Sequence, residues 1–196
     1  MAEGQWAGLE LEKLDEKVWS QEIKAQLYDE TFIALWDSLR AAKNKMGVFK
    51  EQALGRLLLG SPGDPKPIAW GIEAVQLEDG VVEVSAEDWP DWVDAWSKAG
   101  YKVVETEWHQ QVFESKATSS FSLYSFVIHA NQESTDMRFI IRGKLHVTWS
   151  DRKDVKGRYL PGRVEARNER ILQRKGAPVF EPIATMDPQG DGARVP

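Results

Sequence analysis

From Tyr101 to Gln173 the chain is dominated by four long stretches of strand-type sequence: Tyr101 to Glu114, Ser120 to Ala130, Met137 to Ser150 and Val164 to Gln173. Turn-like segments join them, Lys116-Ala117-Thr118, Asn131 to Asp136 and Asp151 to Gly162, and connections this short favour antiparallel neighbours. In the second stretch Phe121, Leu123, Ser125 and Val127 alternate with Ser122, Tyr124, Phe126 and Ile128, so both faces carry apolar side chains and both call for a cover. Gly143, between Ile141 and Leu145, marks a mid-strand position suited to strong curvature.

The first half reads as helix. Leu11, Leu14, Val18, Ile23 and Leu27 fall near one stripe. After Asp29, a candidate N-cap, Phe32, Leu35, Trp36 and Leu39 repeat at helical spacing. Gly47 interrupts the pattern, helix is expected again from Val48 to Leu59, and Gly60-Ser61-Pro62-Gly63-Asp64-Pro65 stops it. Glu78-Asp79-Gly80 predicts a hairpin turn between Val75/Leu77 and Val81/Val82/Val84. Trp89, Trp92, Val93 and Trp96 lie three or four apart, which predicts a short helix ending before Gly100, its tryptophans packing inward.

Several function classes are disfavoured by composition. A net charge of -6 argues against a general nucleic-acid binder, which normally presents a basic surface to phosphates. The absence of cysteine excludes disulfides, thiol catalysis and thiolate metal sites. No apolar run is long enough to cross a bilayer, and Met1 to Trp6 lacks a signal-type start, so the chain, if complete, is expected in the cytoplasm. The charge is uneven: Glu3 to Glu30 is acidic and Asp151 to Lys175 is basic. The basic stretch reads as a solvated surface or as an anion-facing patch around Arg163, Arg167, Arg170 and Arg174. His109, His129 and His146 show no HxH or HExxH spacing, so no zinc site is expected, nor any other cofactor.

Three helices followed by a bent antiparallel sheet predict an α+β domain whose sheet wraps around the helices and leaves a pocket in its mouth. Over roughly residues 28 to 175 this order resembles the cone-shaped superfamily of ketosteroid isomerases, SnoaL-like polyketide cyclases and nuclear transport factor two. The likeness implies a helical extension over 1–27, a cone over 28–175, and a tail or truncated linker over 176–196. Phe32 to Lys43, Glu107-Trp108-His109, Ser125 to His129 and Arg174 to Glu181 look like the domain preceding FG-GAP/VCBS repeats in some large bacterial proteins. In that comparison Asp187-Pro188-Gln189-Gly190-Asp191-Gly192 resembles a degraded calcium loop, in which Gln189 removes a carboxylate that a hard cation would want.

The candidate chemistry lies on the strand Glu105 to Phe113. Alternation sends Glu105, Glu107, His109, Gln111 and Phe113 to one face, and Trp108 and Val112 to the other. If the first face lined an apolar pocket, desolvation would raise the Glu107 carboxyl towards neutral pH for proton transfer. His109 would then polarise a carbonyl or relay the proton, with Asp136 or Arg142 completing the set. Trp108, Tyr124, His129 and Trp149 are the candidate ligand-binding residues. The resemblance makes isomerase or cyclase chemistry feasible, but no family catalytic motif aligns residue by residue. The leading expectation is therefore a noncatalytic ligand-binding or protein-assembly domain, a homodimer through the open sheet face, with an apolar small molecule or a partner protein as its other contact.

Overall fold

A computed structural model describes residues 3–116 and 119–176, with side chains from Val18 onwards. The element order is α1 (Glu3–Ala41), α2 (Lys45–Glu51), β1 (Arg56–Pro62), β2 (Lys66–Ala69), β3 (Ile72–Val84), α3 (Trp89–Lys98), β4 (Tyr101–Ser115), β5 (Ser120–Gln132), β6 (Met137–Lys153) and β7 (Tyr159–Lys175). The seven strands form one sheet in the order β2-β3-β1-β7-β6-β5-β4, antiparallel throughout except for the parallel pair β1–β7. This is an α+β fold: N-terminal helices pack against a strongly curved, cone-like mixed sheet.

α1 is one continuous helix of 39 residues, about 58 Å long at 1.5 Å per residue. Asp29 is therefore not a cap but a mid-helix residue. Nothing in Leu27-Tyr28-Asp29-Glu30 breaks a helix, and propagation costs little once a turn exists. The helix expected over Val48 to Leu59 is also corrected. It ends at Glu51, and Leu57 and Leu58 belong to β1. The reason is tertiary. Gly55 takes φ +65° against the backbone of Pro161 and Gly162, where a Cβ would lie 2.5 Å from the Pro161 carbonyl oxygen. The chain turns there, and Leu57 enters the core opposite Val164 and Val84.

Glu78-Asp79-Gly80 is not a hairpin turn. β3 runs through it, bending at Gly80 (φ +68°), and its two halves serve different neighbours. Val82 to Val84, and Leu77 and Glu78 before the bend, pair with β1, whereas Ile72 to Gln76 pair with β7 beyond the end of β1. The sheet is consequently mixed rather than purely antiparallel.

The four C-terminal strands fall close to their expected limits, and α3 covers the predicted tryptophan segment. Trp89 and Val93 are buried, while Trp96 at the far end is exposed. Gly143 does serve close approach. A Cβ there would meet the Arg167 carbonyl oxygen at 2.9 Å and the Phe126 ring at 3.1 Å. The core joins Phe32, Leu35 and Leu39 of α1 to Met46 and Phe49 of α2, and to Tyr124, Phe126, Leu145, Val147, Trp149, Val164 and Ala166 on the concave sheet face. A salt bridge of 2.6 Å from Lys50 to Asp94 fastens α2 to α3. The calcium-loop likeness at Asp187 to Gly192 and most of the expected tail lie outside the described residues.

Candidate functional site

The curved sheet offers two surfaces, and strand parity decides which residues reach each. On the concave side Thr106, Trp108 and Gln110 of β4 face Ile128, Phe126 and Tyr124 of β5. A bulge between Gln110 and Val112 then shifts the phase. Phe113 therefore turns inward, 5.1 Å from the Tyr28 ring, and Val112 turns outward. This corrects the uninterrupted alternation expected for the strand.

The concave surface is filled by the chain itself. The Phe32 ring sits 4.3 Å from Tyr124, 6.0 Å from Trp149 and 6.1 Å from Trp108, and Tyr28 stacks on Tyr159 at 4.1 Å. Within this packing runs a polar network. The Gln110 amide donates to Ser122 Oγ (3.1 Å) and Tyr124 Oη (3.2 Å), and the Trp149 indole donates to Ser122 Oγ (2.8 Å). Tyr124 also hydrogen-bonds to Asp29 on α1. Burial pushes the Tyr124 phenol well above its ordinary range, helped by the Asp29 carboxylate, so it stays a protonated donor. Burial likewise raises the Asp29 carboxyl, against the lowering effect of the Tyr124 bond. The network satisfies groups that packing would otherwise orphan. One remains: Trp108 Nε1 is buried with no acceptor among the described residues, whereas the Trp36 and Trp89 indoles reach the Thr106 and Phe49 carbonyls at 2.7 Å.

Glu107 and His109 project from the convex surface. Their side chains are 53% and 72% exposed, with Glu107 Oε2 3.9 Å from His109 Nε2. Arg142 shares their surface, and the register aligns it with Glu107 through Val127. Asp136 stands apart, in the β5–β6 turn at φ +55°, where its carbonyl accepts the Gly176 N–H at 2.9 Å. Of the ligand-binding candidates, Tyr124 and Trp149 are core residues, Trp108 packs against the core, and His129 lies on the convex side opposite Glu105. The proposed residues thus divide between two surfaces.

The registers assemble the convex surface into cross-strand rows running β4-β5-β6-β7: Glu105-His129-Ile140-Leu172, Glu107-Val127-Arg142-Arg170, His109-Ser125-Lys144-Arg167 and Glu114-Phe121-Thr148-Arg163. Glu105, Glu107 and Glu114 stand on β4 and bases predominate on β6 and β7, with Phe121, Leu123 and Val127 on β5 between them; Lys102 on β4 and Glu165 on β7 are the exceptions. Arg142 faces Arg170 and Arg138 faces Arg174, like charges directly opposed, which is unfavourable without a counter-charge. Among the described residues no carboxylate lies within ion-pair distance of Arg142, Arg170 or Arg174. Arg163 and Arg167, by contrast, share Glu165 at 3.2 and 2.8 Å. Sequence reading located the arginines but not the acids that complement them across the sheet, because only register reveals a row.

A second feature had no sequence signal. Glu169 is buried where β1 leaves β7, its Oε2 accepting the Gly60 N–H at 2.7 Å. Asn168 beside it adopts φ +52° and donates its N–H to Asp79 Oδ1 at 2.7 Å. Burial raises the Glu169 carboxyl; the Gly60 bond opposes that shift and the Asp79 charge adds to it.

Among the described residues no group of three or more His, Asp or Glu is placed to hold a metal ion, and no helix is long and apolar enough to cross a membrane. No family model matches the chain, and no curated protein matches it. The architecture, a half-barrel sheet with N-terminal helices, is consistent at the superfamily level with the cone fold of nuclear transport factor two and SnoaL-like proteins.

Proposed function

We propose that the chain is a noncatalytic assembly domain that pairs with a second copy through the convex sheet surface. The observation that carries this reading is the charge segregation of that surface around an apolar middle. A two-fold axis running along β5 between two stacked surfaces places β4 of each copy opposite β6 of the other. Glu107 then stands over Arg142, and Glu105 over Ile140 between Arg138 and Arg142, while Phe121, Leu123 and Val127 pack along the axis. Arg142 acquires a counter-charge in the same step. The filled concave side supports assembly over small-molecule binding, since Phe32, Tyr124 and Trp149 occupy the space a ligand would need. The isomerase or cyclase alternative needs Glu107 and His109 enclosed with a substrate, and the exposure of both leaves it without support. On the likeness of Phe32 to Lys43 and Arg174 to Glu181 to domains preceding FG-GAP/VCBS repeats, such pairing would hold two repeat-bearing chains together.

Sedimentation equilibrium tests the proposal. The wild-type chain is expected at twice its 22.2 kDa mass, and Leu123→Asp at the monomer mass. A wild-type chain that stays monomeric at every concentration, or a Leu123→Asp variant that still pairs, defeats it.

A further inference from the structure

α1 carries apolar side chains both inside and outside the cone. Tyr28, Phe32, Leu35 and Leu39 enter the cone. Outside it Trp19 (65% exposed), Ile23 (55%), Leu27 (44%) and Ile33 (49%) stand in solvent. The first three repeat at i, i+4 and i+8, which aligns them as one continuous ridge of the kind that seats in the groove of another helix. Val18 to Lys24 are exposed all round the helix, so this end of α1 projects from the cone, and large apolar side chains standing on it mark a contact surface.

The charges beside the ridge say what fits it. Glu22, Glu30 and Asp37 flank it three or four residues from Trp19, Leu27 and Ile33, and among the described residues no cation lies within ion-pair distance of any of them. Between Val18 and Asp37 the only basic residue is Lys24, on the far flank of the ridge, and Arg40 beyond is held 4.9 Å over the Trp36 ring. Two copies of α1 laid together would set these acids against one another, and an anionic lipid surface would meet the same repulsion. A helix with leucine-type residues on one face and lysine or arginine along its margins satisfies both the ridge and the rim. We infer that the outward side of α1, from Trp19 to Ile33, is a docking strip for a basic amphipathic helix of a partner protein. The strip lies on the opposite side of the sheet from the convex surface, so pairing of two copies leaves it open.

The test uses the full chain and two fluorescently labelled synthetic helices with leucines at i, i+3, i+4 and i+7, one with lysine and the other with glutamate at the remaining positions, read by anisotropy. The lysine peptide is expected to bind, more weakly as salt rises, and the glutamate peptide not to bind. Trp19→Ala with Ile23→Ala should weaken binding about tenfold or more with thermal unfolding unchanged, since both side chains are exposed. Glu22→Lys with Glu30→Lys should reverse the preference to the glutamate peptide. Leu123→Asp, on the convex side, should bind as wild type. The inference is overturned if the lysine peptide fails to bind, if binding survives the double alanine variant, if the charge reversal leaves the preference intact, or if Leu123→Asp abolishes binding. It also falls if the double alanine variant sediments at a lower mass than wild type, because a second copy then occupies the strip.

Discussion

The two sides of β4 to β7 are made by the same strands and differ in what they have been given to touch. On the concave side Tyr124, Val147 and Ala166 are closed off by α1 and α2, and the polar groups of Gln110, Ser122, Tyr124 and Trp149 are paired within the chain, Trp108 Nε1 being left over. On the convex side no described element lies over Leu123, Val127 and Ile140, and among the described residues Arg142, Arg170 and Arg174 lack counter-charges, whereas Arg163 and Arg167 share Glu165. The contrast teaches that residue type alone does not mark a site. Tyrosine, glutamine and aspartate inside the cone form a satisfied structural network, whereas ordinary valine and arginine outside it form the surface with unmet chemistry.

Substitutions on the two sides should therefore fail differently. The largest effect is expected inside: Phe32→Ala removes a ring packed against Tyr124, Trp149 and Trp108 and should cost about 3–5 kcal/mol of stability in denaturant unfolding. Outside, Leu123→Asp should weaken pairing about 100-fold, about 2.8 kcal/mol, when monomer and dimer are followed by sedimentation across concentration. A result in which Leu123→Asp instead unfolds the chain as Phe32→Ala does would erase the distinction between the sides. Tyr124→Phe keeps the packing but strips the hydroxyl from Asp29 and Gln110, for a loss of about 1–3 kcal/mol by the same unfolding measurement.

Glu169 sharpens the inner side further. Its carboxyl is raised by burial, so the folded state binds the proton more tightly than the unfolded chain does. Its contribution is favourable below the unfolded value of 4.5 and is lost as pH rises through the higher folded value. Glu169→Gln, whose amide oxygen can still accept from Gly60, should flatten that part of the stability profile, visible as a smaller fall in melting temperature between acid and neutral pH. The smallest effect belongs to the convex rim. Glu107→Gln should change monomer stability by no more than about 0.5 kcal/mol while making pairing less sensitive to salt, measured by sedimentation at two ionic strengths.

Much of the fold was legible because periodicity reports it. The four long strands and α3 were readable from alternation and from tryptophans at helical spacing, and the alternation of Ser122, Tyr124 and Phe126 with Phe121, Leu123 and Val127 survives in the structure, where the first set is buried. Reading failed where a neighbour overrode the local pattern. Leu57 and Leu58 have helical spacing with Ala53, yet the close approach of Gly55 to Pro161 sends them into a strand. Phe113 was assigned to the side of Glu107, and one bulged residue, Gln111, moved it across the sheet. The candidate site suffered most from this. Glu107 and His109 share one side of the sheet, with Arg142 on the same side two strands away, but which side that is depends on where α1 packs, not on alternation.

What the sequence determined by itself was the inventory: a helical N-terminal region, long strands with apolar side chains on both faces, no thiols, an acidic beginning and a basic last strand. These follow from local rules, in which each residue's neighbours in the chain suffice. The tertiary structure decided which apolar face became core, that β1 lies parallel to β7, that Asp29 bonds Tyr124 instead of capping a helix, and that acids and arginines distant in sequence stand in common rows. Those outcomes depend on contacts between segments many residues apart, whose register is chosen by the packing of the whole sheet around α1.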